Sequence, residues 1–285
     1  MRALDPEVVD AVWAACEPLI PLPLDTHPLG CHRPRASDRA CFEVIYVRLA
    51  TGCSWEDAER LCGKKVSDTT ARDRRDEWLG ADVFEKLCTE ALAAYDKIIG
   101  LVLDDVAVDG SLHKSPCGGE GTGKNPTDRG KLGWKWSVLT DANGIPFGVA
   151  IDGANRNDSV MLAPTLDDAK AKGLLQEIET IWLDRGYDSD ATRERLAERD
   201  ITDAVIAKKR KRGTTGGVKN NQPMGLRWPV ERTNSWLSNF GQLRRNTDRK
   251  TAQRLAQFAL AIVFILTAKL IDWRNRSSPA SLPIR

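Results

Sequence analysis

Apolar residues change their spacing near residue 100. Before it they recur at helical intervals, as in Val8, Val9, Val12 and Trp13, and again in Phe42, Val44, Ile45, Val47 and Leu49. A proline-rich connector, Pro18 to Pro34, separates these two runs. Thr51-Gly52 reads as a helix end. Ser54 then caps the next helix, with Asp57 three residues on and Trp55, Ala58 and Leu61 facing inward. Cys62 to Lys65 makes a turn, and Ser67 or Asp68 opens a third helix, TTARDRRDEWL. Two helices about a tight turn, the second rich in Thr and Arg, have the plan of a helix-turn-helix DNA reader over about residues 40–79. Its reading side chains would be Thr69, Thr70, Arg72, Arg74 and Arg75.

Beyond about residue 101 the pattern is that of strands. Val102 to Asp109, Trp134 to Thr140, Pro146 to Ile151 and Ile178 to Asp184 are short, β-branched or aromatic, and bounded by Gly, Asn or Asp; Ala204 to Ala207 reads as a fifth. Asp141 to Gly144 joins the second and third as a hairpin turn. Asp158 or Ser159 caps a helix reaching about Ala171, another runs from Ser189 to Arg199, and a long one from Thr251 to Trp273 closes the chain. Three neighbouring strands followed by alternating helices and strands predict an α/β fold, a mixed sheet with flanking helices in the ribonuclease H style. The expected division is a mostly helical N-terminal domain over 1–100, a catalytic domain over 101–245, and a C-terminal helix and tail over 246–285.

Bulk composition, 41% hydrophobic and 29% charged over 285 residues, is that of a globular protein with one large core or two modest ones. MRALDPEVVDAVW has no basic start followed by an apolar run, so no secretory leader is expected. The longest apolar stretch, Phe258 to Leu266, is about half of a bilayer span and reads as a buried helix rather than a membrane segment. Seven cysteines without a CxxC pair suit reduced thiols, and His27, Cys31, His32 and Cys41 match no common zinc spacing. Charge is more telling. A net +2 conceals 12 Lys or Arg against two acids between Lys208 and Lys250, the remainder summing to −8. A local excess of that size points to a polyanion partner.

Within this basic region lies Glu231, in RWPVERTNSWL; Asp109 lies in VAVDGS and Asp184 in IWLDRGYDSD. Each aspartate closes a β-rich run, Gly110 allowing a sharp turn after Asp109 and Gly186 lying just beyond Asp184. Pro229 suits a first helical turn. Val230, Thr233, Leu237 and Phe240 form a buried stripe, with Glu231, Asn234, Ser235 and Ser238 on a polar face. Trp228 is expected in the core. Carboxylates from two strand ends and a helix can gather hard divalent cations, and paired cations can run phosphodiester chemistry.

With these residues in view, the chain resembles bacterial insertion-sequence transposases of the DDE type, in the group that includes families four and five. The resemblance runs over nearly the whole length, through DRACFEVIYVRLATGCSWEDAERLCG, VAVDGS, GVAIDGANRNDS, LDRGYDS and RWPVERTNSWL. Arg227 and Glu231 fit the Arg-x3-Glu part of the signature Tyr-x2-Arg-x3-Glu-x6-Lys; Met224 and Ser238 stand where Tyr and Lys would be, which makes the family-five branch the closer match. Asn157 replaces the usual His of Asn-x-His-Asp.

The resemblance implies a ribonuclease H-like fold with Asp109, Asp184 and Glu231 as catalytic residues and ligands of two Mg²⁺ ions, Mn²⁺ substituting. It also implies cleavage at transposon ends and joining of the 3′-OH to target DNA. Lys124, Lys208, Lys209, Arg210, Arg227, Arg232, Arg244 and Arg245 would hold the DNA backbone. A homodimer is expected because two ends are processed together, in the cytoplasm at the nucleoid, without a membrane or a nucleotide cofactor. GGEGTGKN, residues 118–125, nearly spells a phosphate-binding loop, but Asn125 replaces the hydroxyl residue and Pro126 follows, so a loop is expected there. Two alternatives stay open: a ribonuclease H-like nuclease without strand transfer, and a non-catalytic DNA-binding regulator derived from a transposase.

Overall fold

The computed structural model describes residues 5–22, 34–207 and 227–277, with only the backbone of Arg227. Lys208, Lys209 and Arg210 lie outside the described residues, as do His27, Cys31 and His32. The chain forms two compact units, one of Met1–Ile99 with Leu237–Arg285 and one of Gly100–Trp236.

The first unit is helical: α1 (Pro6–Cys16), α2 (Asp38–Thr51), α3 (Trp55–Leu61), α4 (Asp68–Gly80), α5 (Val83–Ile98), and, after the chain returns, α9 (Gly241–Arg244) and α10 (Thr251–Ser277). Local chemistry sets these boundaries. Asp5 accepts from the Glu7 amide at 3.1 Å and Pro6 starts α1. Gly52, left-handed at φ 77°, ends α2. Ser54 and Asp57 form the expected capping pair on α3, the Asp57 amide donating to Ser54 Oγ at 3.0 Å. Ser67 caps α4.

The C-terminal region does not stand apart. α10 is long and apolar enough to cross a bilayer, yet Phe258, Leu260, Ala261, Ile262, Val263, Phe264, Ile265 and Leu266 are buried, and the helix packs along α5 and α1. A helix apolar on nearly all sides needs partners all round, and the N-terminal helices supply them. Close approach matters at Gly241. A Cβ there would lie 2.3 Å from the carbonyl carbon and oxygen of Thr51.

The second unit holds β1 (Asp105–Lys114), β2 (Gly123–Lys124), β3 (Leu132–Thr140), β4 (Pro146–Gly153), α6 (Asp158–Ala171), β5 (Thr180–Leu183), α7 (Asp190–Ala197), β6 (Asp203–Ile206) and α8 (Arg227–Ser238), whose last two residues pass into the first unit. β1, β3 and β4 form an antiparallel meander, while β5 and β6 add to the other edge of β1 in parallel. Antiparallel neighbours on one side of a central first strand and parallel ones on the other make this the ribonuclease H-like mixed sheet. The turn between β3 and β4 closes as expected, the Gly144 amide donating to the Asp141 carbonyl at 3.0 Å.

Three local expectations need correction. β1 does not end at Asp109; it continues through Gly110 to Lys114, paired throughout with β3. Gly110 serves close packing instead of a turn, since a Cβ there would lie 2.0 Å from Asp158 Oδ1. The cap of α6 is Asn157, whose Oδ1 accepts from the Ser159 amide at 3.0 Å. The glycine-rich stretch contains a short strand, β2, in which Gly123 and Lys124 pair with Gly133 and Leu132.

Candidate active site

The parallel pairing of β1 with β5 aligns Ala107 with Trp182. Two residues further along each chain stand Asp109 and Asp184, so the register carries both carboxylates out at one level from adjacent strands. Asp184 lies just past β5, where its Oδ1 accepts from the Gly186 amide at 2.6 Å and opens a single 3₁₀ turn.

The helix bearing Glu231 is tied to the sheet by its neighbours. Arg232 Nη2 donates to the Asn143 carbonyl at 2.5 Å, and Thr233 Oγ1 to the Gly144 carbonyl at 2.5 Å. Asn234 Nδ2 donates to Asp109 Oδ2 at 3.1 Å, and Asn234 Oδ1 accepts from Trp136 Nε1 at 2.8 Å. An indole N–H only donates, so it fixes which end of the amide faces Asp109. Glu231 stands one turn before Asn234 on the same flank of α8, with its side chain exposed.

Behind the aspartates, Tyr187 is buried. Burial raises its pKa well above 10, and the charges of Asp158, Asp109 and Asp184 raise it further. Asp158 pairs with the buried Lys135, Nζ to Oδ1 at 3.0 Å, and the same Nζ donates to the Arg156 carbonyl at 3.0 Å. Carboxylate oxygens from two strand ends and a helix are hard donors suited to Mg²⁺ or Mn²⁺. As they stand, no three His, Cys, Asp or Glu side chains among the described residues enclose a common point at metal-binding distance.

The residues expected to meet DNA fall into two groups. Thr69, Arg72, Arg244 and Arg245 are exposed, as is Lys124 on β2, and Thr70 is half-buried. Arg74 and Arg75 are buried: Arg74 pairs with Asp38, and Arg75 with Asp76 and Asp248. Their guanidinium groups brace the first unit from inside, because α4 turns that flank toward its neighbours. Arg232 sits with its guanidinium carbon 4.2 Å from the centre of the Trp228 ring and 4.7 Å from that of Trp236, and braces α8. Trp228 is not in the core; it is 54% exposed.

Asn234, Trp136 and Tyr187 had no functional reading from spacing. Asn234 was legible only as a polar position three residues after Glu231. Trp136 and Tyr187 look like ordinary core aromatics until the sheet is assembled.

Two family models match. Residues 101–266 match the transposase DDE domain, and residues 8–88 match a putative transposase of the IS4/5 family. Among curated proteins, a putative transposase for insertion sequence element IS402 from Burkholderia cepacia is 42% identical over 134 residues, 45% of this chain and 60% of that protein. The insertion element IS402 uncharacterized 16.2 kDa protein of the same organism is 31% identical over 123 residues, 42% of this chain and 82% of that protein. The matched stretch therefore spans less than two thirds of the first relative. Among solved structures, a pre-cleavage Mos1 transpososome is similar at a TM-score of 0.35 and 10% identity, over 93% of this chain and 84% of that one. A Mos1 mariner paired end complex with Mn is similar at 0.28 and 10%, over 87% and 82%.

Proposed function

The chain belongs to the DDE transposases, and from that premise we propose that it binds the terminal inverted repeats of an insertion element, cuts phosphodiester bonds at their ends, and joins the freed 3′-OH ends to target DNA. The observation that carries this reading is the level alignment of Asp109 and Asp184 on adjacent parallel strands, with the helix of Glu231 tied to Asp109 through Asn234.

Asp109, Asp184 and Glu231 hold two Mg²⁺ ions, or Mn²⁺ in their place. Bound there, the ions would supply a water of lowered pKa and offset charge on the leaving oxygen. Three like charges repel one another at short range, so the carboxylates close fully only around cations. Asn234, oriented by Trp136, holds one oxygen of Asp109. In the cutting step the water oxygen forms a bond to phosphorus, the bond from phosphorus to the 3′ oxygen breaks, and that oxygen departs with the electron pair and gains a proton. In the joining step the same 3′-OH attacks a target phosphate, and a target 3′ oxygen leaves. No side-chain nucleophile takes part.

Thr69 and Thr70 at the start of α4 read the repeat, and Arg72 beside them sets the helix on the duplex. Lys124, Lys208, Lys209, Arg210, Arg227, Arg244 and Arg245 hold the backbone, with Arg232 contributing mainly by bracing α8. The working form is a dimer, acting in the cytoplasm at the nucleoid without a nucleotide cofactor.

The test uses the full chain, Mg²⁺, and labelled duplexes carrying the element's own ends with a supercoiled target. Nicking followed by joined product supports the reading. Nicking without joining would identify a nuclease, and tight end binding without cutting in Mg²⁺ or Mn²⁺ would identify a regulator.

A further inference from the structure

The first unit contains an open pocket of about 320 Å³ among α2, α3, α4 and the turn after α9, lined by Arg48, Trp55, Glu56, Arg72, Arg245 and Thr247, with Gly52, Cys53 and Ser54 completing the wall. Its size is at the small end of ligand sites. The guanidinium carbons of Arg48, Arg75 and Arg72 lie 4.4, 5.1 and 6.0 Å from the centre of the Trp55 ring. That stacking restrains the planar forks.

The charge on its floor is not fully answered. Arg48 is 3% exposed and Arg75 5%; both draw on Asp248, at 3.2 and 3.4 Å, and Arg75 also pairs with Asp76 at 2.6 Å. Arg48 Nε is buried without a hydrogen-bond acceptor among the described residues. A buried guanidinium N–H left unmet carries a real cost and calls for an anion or water to meet it. Glu56, the one carboxylate on the wall, is turned to Arg60 at 3.4 Å. Arg72, which pairs with Asp68 one turn back, and Arg245 stand exposed at the rim.

We propose that this pocket grips a single phosphodiester of the DNA backbone, Arg72 and Arg245 closing over it and Arg48 meeting it from below. Planar forks with unmet N–H groups suit phosphate oxygens. The rim adjoins the exposed first turns of α4, where a helix-turn-helix protein meets both base edges and backbone. The grip sets the depth and register of α4 on the duplex. It rests on DNA being the substrate, as proposed above, but not on the carboxylate chemistry.

The experiment measures binding of the full chain to a short duplex of unrelated sequence, without divalent metal, between 50 and 200 mM salt. Loss of one phosphate contact lowers the slope of log K against log salt by about 0.9. The double variant Arg72→Gln/Arg245→Gln should show that single loss, about 0.9 and not twice it, because both side chains serve one phosphate. Its deficit in affinity should then shrink about 3.5-fold over this salt range. Arg48→Lys, which keeps the charge without the fork, should weaken binding with the slope unchanged. Arg60→Gln, a charge loss outside the pocket, should leave the slope as it is. An unchanged slope in the double variant, or an equal change in Arg60→Gln, overturns the proposal. A second arm follows thermal unfolding in inorganic phosphate at constant ionic strength. Stabilisation that depends on Arg72 and Arg245 while the DNA slope stays unchanged would assign the pocket to free phosphate instead. If the wild-type chain binds no DNA, the functional reading fails; if it binds and only the variant slopes stay fixed, the pocket alone fails.

Discussion

His113 makes the stability of the second unit depend on pH in a way that can be calculated. Its ring lies 3.5 Å from that of Trp136 with the planes 15° apart, and its Nε2 is 2.7 Å from Ser111 Oγ. Burial pushes its pKa down from 6.5 to about 3. The imidazole is therefore neutral in the folded unit at pH values where the unfolded chain already binds a proton. A proton taken up only on unfolding favours the unfolded state. The contribution is thus fully present above pH 6.5, falls as pH drops through the interval down to about 3, and declines no further once both states are protonated. For these two values, moving from pH 7 to pH 5 costs about 2 kcal/mol. The comparison is with His113→Phe, which keeps an aromatic ring against Trp136 and removes the titration. Amide hydrogen exchange in β1 and β3, corrected for intrinsic rates, isolates this unit from the helical one. Protection in the wild type should fall about 30-fold more than in the variant between the two pH values. Equal falls in both proteins, within about 0.5 kcal/mol, would refute the buried neutral imidazole.

Other consequences follow from single contacts. Trp136→Phe keeps the packing but removes the donor that orients Asn234, so Mn²⁺ affinity should fall about 10- to 100-fold, read by titration; unchanged affinity would remove Asn234 from the positioning of Asp109. Gly241→Ala should destabilise the first unit by about 3 kcal/mol in chemical denaturation, because the clash is with the Thr51 backbone and not a mobile side chain, and a loss under about 1 kcal/mol would show that the α9 turn yields. Arg75→Ala should cost about 1–3 kcal/mol of stability through its lost packing on Trp55 and its pair with Asp248, whereas Arg72→Ala should leave stability within about 0.5 kcal/mol and reduce discrimination of the terminal repeat. Equal losses of discrimination on stable proteins would put both side chains on the DNA.

The strands and caps were legible because they depend on neighbouring residues. Alternation in VAVDG, the Asp141–Gly144 turn and the Ser54–Asp57 pair each need only a few positions to declare themselves. Gly110 misled because a glycine after an aspartate looks the same whether it turns the chain or admits a carboxylate from α6. The distinction lies in Asp158, 48 residues away in sequence. Arg74 and Arg75 misled for a related reason. In TTARDRRDEWL the polar pattern does not say which arginines find buried acids, and Asp38 and Asp248 come from distant segments. Trp228, expected in the core, is instead half exposed, with Arg232 one turn along covering its face. The joining of α10 to the N-terminal helices was also hidden, since an apolar run shows that partners are needed but not which ones.

The central claim is that Asp109, Asp184 and Glu231 act on shared cations. It is tested most directly by Mn²⁺ titration of the full chain, followed by electron paramagnetic resonance, in wild type, Asp109→Asn, Asp184→Asn and Glu231→Gln. The account predicts two bound ions per wild-type chain and weakened binding in every variant, with each protein still folded. Wild-type affinity and stoichiometry in Glu231→Gln would contradict it, because the helix residue would then lie outside the metal site.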